Sequence, residues 1–268
     1  TEEAAKEEQS STEEAAKEEQ SNTEEVTKEE QIAVTTLREA GHEVQVSDLY
    51  AMRWKPSVDA DDFGATSGPL RVVEDSGHAY DTATLTADIA AEQEKLRWAD
   101  TVILQFPLWW YSMPAILKGW VDRVFTFNFA YGVGEHSDTR YGDRYGEGTL
   151  AGKRAMLSVT IGGREPHYTD RGINGPIDDL LFPIQHGILY YPGMDVLPPF
   201  VTYGADRVSP ADFTDAAKAW EQRLLSIEQT DPIAFRTQNG GDYELPALRL
   251  REGLEAKGRT GFGLHVRA

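Results

Sequence analysis

Apolar positions along this 268-residue chain change their spacing several times, and each change marks an element. Residues 1–31 are almost devoid of them. Thr1–Ser11 returns nearly unchanged over Thr12–Asn22, and a decayed third copy starts at Thr23. An 11-residue period equals three helical turns. Glu, Ala, Lys and Gln favour helix, but the stripe of Ala4, Ala5, Ala15, Ala16 and Val26 is too thin to anchor a core, so a solvated helix or tail is expected. Ile32–Ala40 reads as the end of a helix, with Gly41 as its left-handed cap. Val44, Val46 and Leu49 predict a strand over His42–Asp48. Residues 50–85 are broken by Pro56, Gly64, Gly68 and Gly77 and read as a long excursion. Ala83–Trp98 has helical spacing.

Thr101–Phe106 is apolar on both faces, as a central parallel strand requires. Met113–Phe125 follows as a helix with Pro114 in its first turn. Its buried stripe holds Ile116, Leu117, Trp120, Val121, Val124 and Phe125. Ala155–Ile161 is a second buried strand, ending at Gly162-Gly163. Asp178–Leu189 reads as helical despite Pro183, and Asp195–Tyr203 as a strand interrupted by Pro198-Pro199. A helix runs from Ser209 to about Ser226. In residues 230–268 a short helix is expected near Leu245–Lys257, then a terminal segment over Phe262–Val266. Strands alternating with helices predict an α/β fold with a doubly wound parallel sheet. The chain divides into an acidic repeat at 1–31, a main domain at 32–228 and a C-terminal extension at 229–268.

Composition narrows the function. The net charge is −19, of which residues 1–31 supply −9 and the rest −10. An acidic surface argues against nucleic acid and anionic membranes as partners. No apolar run reaches the ~18 residues of a membrane helix, so no membrane insertion is expected. With no cysteine, thiolate catalysis and disulfides are excluded, and a cytoplasmic protein is expected. The six histidines are scattered without metal-ligand spacing, so no metal site is expected.

Ligands of doubly wound sheets sit at the carboxyl ends of the strands, and two such ends carry candidate chemistry. After the first strand come Pro107, Leu108, Trp109, Trp110 and Tyr111. The aromatics would wall a flat ligand or fill a packed corner or a subunit interface. After the second come Thr160, Ile161, Gly162 and Gly163, then Tyr168. The glycine pair lets backbone approach a ligand or merely makes a turn. His167 could face the pocket, and Glu135–Glu147 reads as a solvated loop or a lid.

Taken together, Ile103–Phe125 with its Pro-Ala-Ile-Leu-Lys-Gly-Trp block, Phe129-Ala130-Tyr131, Gly162-Gly163, Tyr168, Gly172-Ile173 and Phe182–Leu189 resemble the NAD(P)H:quinone oxidoreductase family, which includes DT-diaphorase. Gly41–Met52 matches that family's second strand and turn, and the likeness runs from about residue 34 to the C-terminus. It implies a flavodoxin-like fold and a homodimer with flavin sites at the subunit interface. Pro107–Tyr111 would line the isoalloxazine and Thr160–Gly163 its other edge. Tyr168 would hydrogen-bond near a flavin carbonyl. Tyr131, from the partner subunit, and Val133 would border the pocket shared by NAD(P)H and a quinone-like acceptor. The implied reaction is ping-pong hydride transfer in which the cofactor performs the redox step. The long extension resembles the FAD-using branch more than FMN-using relatives.

Three departures stand out. Asn174 occupies the place of a family histidine proposed to relay charge with the tyrosine, and an amide cannot become cationic at neutral pH. Val133 replaces a second pocket tyrosine. Nothing in residues 1–31 supplies the family's first strand or its His-Pro…Ser-Phe-Asn phosphate loop, since buried carboxylates are costly in a strand and repel a pyrophosphate. Weakened flavin binding is therefore expected. The rival to an enzyme is a catalytically impaired regulatory or interaction subunit.

Overall fold

The computed structural model describes residues 28–64, 68–207 and 209–267. Residues 1–27 of the acidic repeat at 1–31 lie outside them, and its last residues belong to helix α1, described over 28–39. That helix ends in two reverse bonds, Gly41 N to Arg38 O and His42 N to Leu37 O, each 3.0 Å. The geometry needs the left-handed backbone that Gly41 adopts at φ +93°.

Four parallel strands form the sheet. β1 (Thr101–Pro107) pairs with β4 (Arg154–Ile161), which pairs in turn with β5 (Asp195–Val196) and β6 (Phe200–Tyr203). The short hairpin β2–β3 (His136–Ser137 and Arg140–Tyr141) lies outside this sheet. Seven of the eight β4 residues are buried, and they alternate between two apolar clusters as a strand's period of two demands. Ala155, Leu157, Val159 and Ile161 join the cluster built with α3 (Ala87–Trp98), α4 (Ala115–Val124) and α5 (Ile177–Ile184). Met156 faces the cluster built with α1 and α6 (Pro210–Leu225), around Trp220 and Leu224. Both faces are covered, which explains the unbroken apolar runs of β1 and β4.

Three expectations need correction. His42–Asp48 is not a strand. Its alternation supplies two faces, but a strand also needs a ladder partner, and none lies beside it among the described residues. It is held instead by α3, through Lys95 Nζ to Ser47 Oγ at 2.9 Å and Ser47 Oγ to Glu92 Oε2 at 2.7 Å. The excursion at 50–85 contains a 3₁₀ turn (Ala60–Phe63) and helix α2 (Val72–Asp81). The buried residues of α2 are Ser76, Gly77 and Ala79, too small to register as an apolar stripe; a Cβ on Gly77 would stand 2.8 Å from the Phe127 ring. Leu245–Lys257 is not helical. It holds the return strand of a small hairpin, β7 (Tyr243–Glu244) with β8 (Arg249–Leu250).

Pro183 sits inside α5, where it lacks the N–H an α-helix uses. The chain continues as a π-helical turn over Gln185–Tyr190. Residues 230–267 wrap this region. Ile233 N donates to Val196 O at 2.7 Å, and Phe262 stacks on Phe182 with centroids 4.3 Å apart. His186 lies between the Phe182 and Tyr145 rings, each 4.6 Å away. Burial, with His265 nearby, depresses its pKa to about 4, so it packs as a neutral ring. Nor is the 135–147 loop simply solvated. Gln238 and Asn239 of the extension donate to the carbonyls of Tyr141 and Gly142, and Arg140 pairs with Asp143 and Glu147.

Candidate functional site

The carboxyl ends of β1 and β4 are adjacent because the strands run parallel in register from Thr101↔Arg154 to Pro107↔Thr160. One bond continues the ladder beyond the strands, Leu108 N to Thr160 O at 2.8 Å. The chain then reverses within two residues. Trp109 and Ser112 exchange both backbone bonds at 3.0 Å, and the two residues between them, Trp110 and Tyr111, take φ of +50° and +61°. Two consecutive positive φ values define a type I′ hairpin turn, normally filled by Asn-Gly. Bulky aromatics in this conformation cost about 1–3 kcal/mol each. The turn also pushes their rings outward: Trp110 is 95% exposed and Tyr111 50%. Pro107 is buried beneath, and Leu108 and Trp109 are half-buried.

Opposite the turn, the chain after β4 is pared to backbone. A Cβ on Gly163 would meet the Tyr168 ring at 2.8 Å and its hydroxyl at 2.9 Å, and one on Gly162 would stand 3.5 Å from the Asp206 carboxylate. The loop then closes on itself. Asn174 N donates to His167 O at 3.0 Å, and a Cβ on Gly172 would overlap the His167 carbonyl at 2.2 Å. This folds Asn174 back against Tyr168, while the His167 side chain stays exposed. The Tyr111 hydroxyl reaches across and donates to Asn174 Oδ1 at 3.1 Å. Burial raises the Tyr168 phenol above its usual value; the neighbouring Tyr111 adds to this and a hydrogen bond from the Asn174 side chain opposes it. Tyr168 is therefore a neutral hydroxyl at physiological pH. The Thr160 hydroxyl and Asp206 Oδ1 are buried without a hydrogen-bond partner among the described residues.

Sequence reasoning thus named residues that the fold brings together: Leu108 with Thr160, Gly163 with Tyr168, and Tyr111 with Asn174. Asp206 was missed, because only the fold places it behind Gly162. Tyr131 and Val133 stand elsewhere. The Tyr131 ring packs edge-on against Phe127 at 5.4 Å, and its hydroxyl bonds the Ser76 side chain, with burial raising its pKa. The Val133 carbonyl accepts from Asp143 N at 2.9 Å.

A flavin ring suits this place. It offers an outward aromatic turn and, at Thr160, a buried hydroxyl lacking a partner among the described residues. The described residues hold no group of three or more His, Asp or Glu able to bind a metal ion, and none of their helices is long and apolar enough to cross a membrane.

The family model for the flavodoxin-like fold matches residues 14–224. The ribosyldihydronicotinamide dehydrogenase-like protein traD of Penicillium crustosum is 56% identical over 238 residues, 88% of each chain. The chain belongs to the flavodoxin-like NAD(P)H:quinone oxidoreductase family. Within this family, NAD(P)H dehydrogenase (quinone) 1 of Cavia porcellus is 38% identical over 239 residues, covering 87% of this chain and 84% of its own. A candidate quinone reductase from Klebsiella pneumoniae, solved by crystallography, is 59% identical with a TM-score of 0.87, covering 90% of this chain and 93% of its own. The family's flavodoxin-like architecture accounts for the place of the site, at the carboxyl ends of adjacent parallel strands.

Proposed function

We propose that the protein is an NAD(P)H-dependent flavin oxidoreductase that reduces quinones or related acceptors by two electrons. The observation that carries this reading is the convergence of the Trp110–Tyr111 turn, the Gly162-Gly163 backbone and the Tyr168–Asn174 pair on one sheet end. The names of the relatives, which are those of dehydrogenases, favour this over a subunit without catalysis.

When bound, a flavin supplies the two-electron chemistry, with NAD(P)H and acceptor taking turns at one face. The residues of the chain have three tasks. Pro107–Tyr111 would hold the ring and shield it from water. Thr160, Ile161, Gly162 and Gly163 would bring backbone along its edge, Gly163 being a glycine because a Cβ there would run into Tyr168. Tyr168 presents a neutral hydroxyl whose hydrogen bond strengthens as negative charge develops nearby. Asn174 steadies Tyr168 without titrating.

The long extension over 229–268 supports FAD over FMN. A homodimer is supported by the apolar surface around the site: in one chain Trp110 and Ile173 are 95% and 92% exposed, and none of the described residues encloses them. The partner would cover this face and bring its own Tyr131–Val133 loop. A groove of about 630 Å³ between α1 and α6 lies elsewhere and is lined by Glu39 and Glu221 among others. The acidic residues 1–31 offer no phosphate loop of the family's kind, so weak flavin retention is expected. Cytoplasmic chemistry suits NAD(P)H as co-substrate.

The test is NAD(P)H oxidation dependent on menadione, with added FAD or FMN, together with a visible spectrum. Turnover that saturates with FAD is expected. No bound flavin and no turnover with either cofactor overturns the enzyme reading. Stoichiometric flavin carried through gel filtration overturns weak retention alone.

A further inference from the structure

Three side chains from two loops meet at the edge of this site in a definite hydrogen-bond order. The Tyr111 hydroxyl donates to Asn174 Oδ1. The Asn174 side chain also hydrogen-bonds Tyr168. With Oδ1 taken by the Tyr111 hydroxyl, the amide nitrogen is the group left to donate.

We infer that Tyr111 is a positioning residue that orients the Asn174 amide, so that its N–H faces Tyr168 and leaves the Tyr168 proton free for a bound acceptor. The inference rests on the reading of Tyr168 as a donor at the flavin site.

An amide fits the same space either way round. Turned over, Asn174 would offer its carbonyl to Tyr168, whose only proton would then be committed to it. The surroundings favour the observed orientation. Tyr111 is half exposed, so water donates to its oxygen while its own proton goes to Asn174. Tyr168 is less exposed, with the Tyr203 ring 5.8 Å away and the Gly163 backbone against its edge. Both sides are fixed by backbone: Asn174 through its bond to His167 O, and Tyr111 through the two bonds that close its turn. The unusual left-handed conformation of Tyr111 thus serves to deliver a hydroxyl to Asn174. Asn174 also keeps this order at every pH, because an amide does not titrate.

Tyrosine labelled with carbon-13 at Cζ reports Tyr168 ionisation by NMR, in protein with and without added FAD. Tyr111→Phe keeps the ring and removes the hydroxyl. Asn174→Asp keeps the shape but offers only acceptors. The Tyr168 midpoint should rise by about half a unit in Tyr111→Phe and by more than about one unit in Asn174→Asp, as a donated bond is weakened or replaced by a like charge. Acceptor kcat/KM should fall about threefold and about thirtyfold respectively, its alkaline limb moving with the midpoint. A Tyr168 midpoint equal in wild type and Tyr111→Phe, with circular dichroism unchanged, overturns the inference whatever the activity. Shifted midpoints in a protein that never turns over with flavin support the hydrogen-bond order and overturn the oxidoreductase reading instead.

Discussion

The backbone N–H of Leu108 donates to the carbonyl of Thr160 at 2.8 Å, and this bond ties the aromatic turn to the glycine pair. The two halves of the site therefore keep a fixed separation, set by the β1–β4 register. Displacement within either half should be felt in activity before it is felt in stability. Gly163→Ala is the sharpest case, since its Cβ would stand 2.8 Å from the Tyr168 ring. The ring must move by several tenths of an ångström, away from Asn174 and from any bound acceptor. With saturating FAD, kcat should fall about tenfold or more, with the thermal midpoint within a few degrees of wild type. Steady-state kinetics and a melting curve check both halves of the expectation.

Trp110 should show the opposite pairing of effects. It holds φ +50° while 95% exposed, so within one chain it gains little burial to offset its strain. Asn tolerates this conformation. At concentrations where the flavin-free protein is a single chain, Trp110→Asn should stabilise it by about 1 kcal/mol; it should weaken flavin binding about tenfold or more through loss of a stacking surface. Urea denaturation and quenching of flavin fluorescence measure the two quantities. A variant both less stable and weaker in binding would point to Trp110 as packing rather than a ligand wall.

Such features explain what the sequence disclosed. β1, β4 and α4 were legible because an element covered on both faces writes its burial into consecutive residues, as in Thr101–Phe106 and Ala155–Ile161. The resemblance carried by Pro114–Trp120 pointed to the candidate site. The turn conformation was not legible, since neither Trp110 nor Tyr111 is a residue that seeks positive φ. The Tyr111–Asn174 bond joins positions 63 apart, beyond any local pattern. Alternation at Val44 and Val46 described two faces of a segment, but ladder pairing is a property of its neighbour. α2 escaped because small residues bury without an apolar signature.

Arg123 illustrates a further relationship that only the fold reveals. It lies on α4 with its side chain 3% exposed, and its Nη2 bonds Asp62 at 2.9 Å and Asp88 at 2.7 Å. Lys55 reaches the same Asp62 oxygen at 2.7 Å, and the guanidinium stacks over Trp54 at 4.4 Å. Asp62 is fully buried. Asp62→Ala should cost about 3–5 kcal/mol, because it leaves the Arg123 charge buried with only the partly exposed Asp88 as partner. The double variant Asp62→Ala with Arg123→Met should be less destabilised than the sum of the single changes. Denaturant unfolding of all four proteins gives the coupling directly.

Glu29 supplies a pH dependence of predictable sign. Its carboxylate is buried between α1 and the sheet, accepting from Thr202 Oγ1 at 2.8 Å and Ser158 Oγ at 3.4 Å. Burial raises its pKa above 4.5, and the two hydroxyls only partly oppose this. An acid whose folded pKa is raised binds its proton more tightly in the native state than in the unfolded one. Stability from this group is therefore undiminished below pH 4.5, falls as pH rises through the raised value, and stays reduced above it. Glu29→Gln fills the same space and can bond both hydroxyls without a charge. Its gain in melting temperature over wild type should be larger near about pH 7.5 than near about pH 4.5. An equal difference at both pH values would mean that Glu29 keeps an ordinary pKa in the folded chain, and that its burial between α1 and β4 imposes no charge penalty.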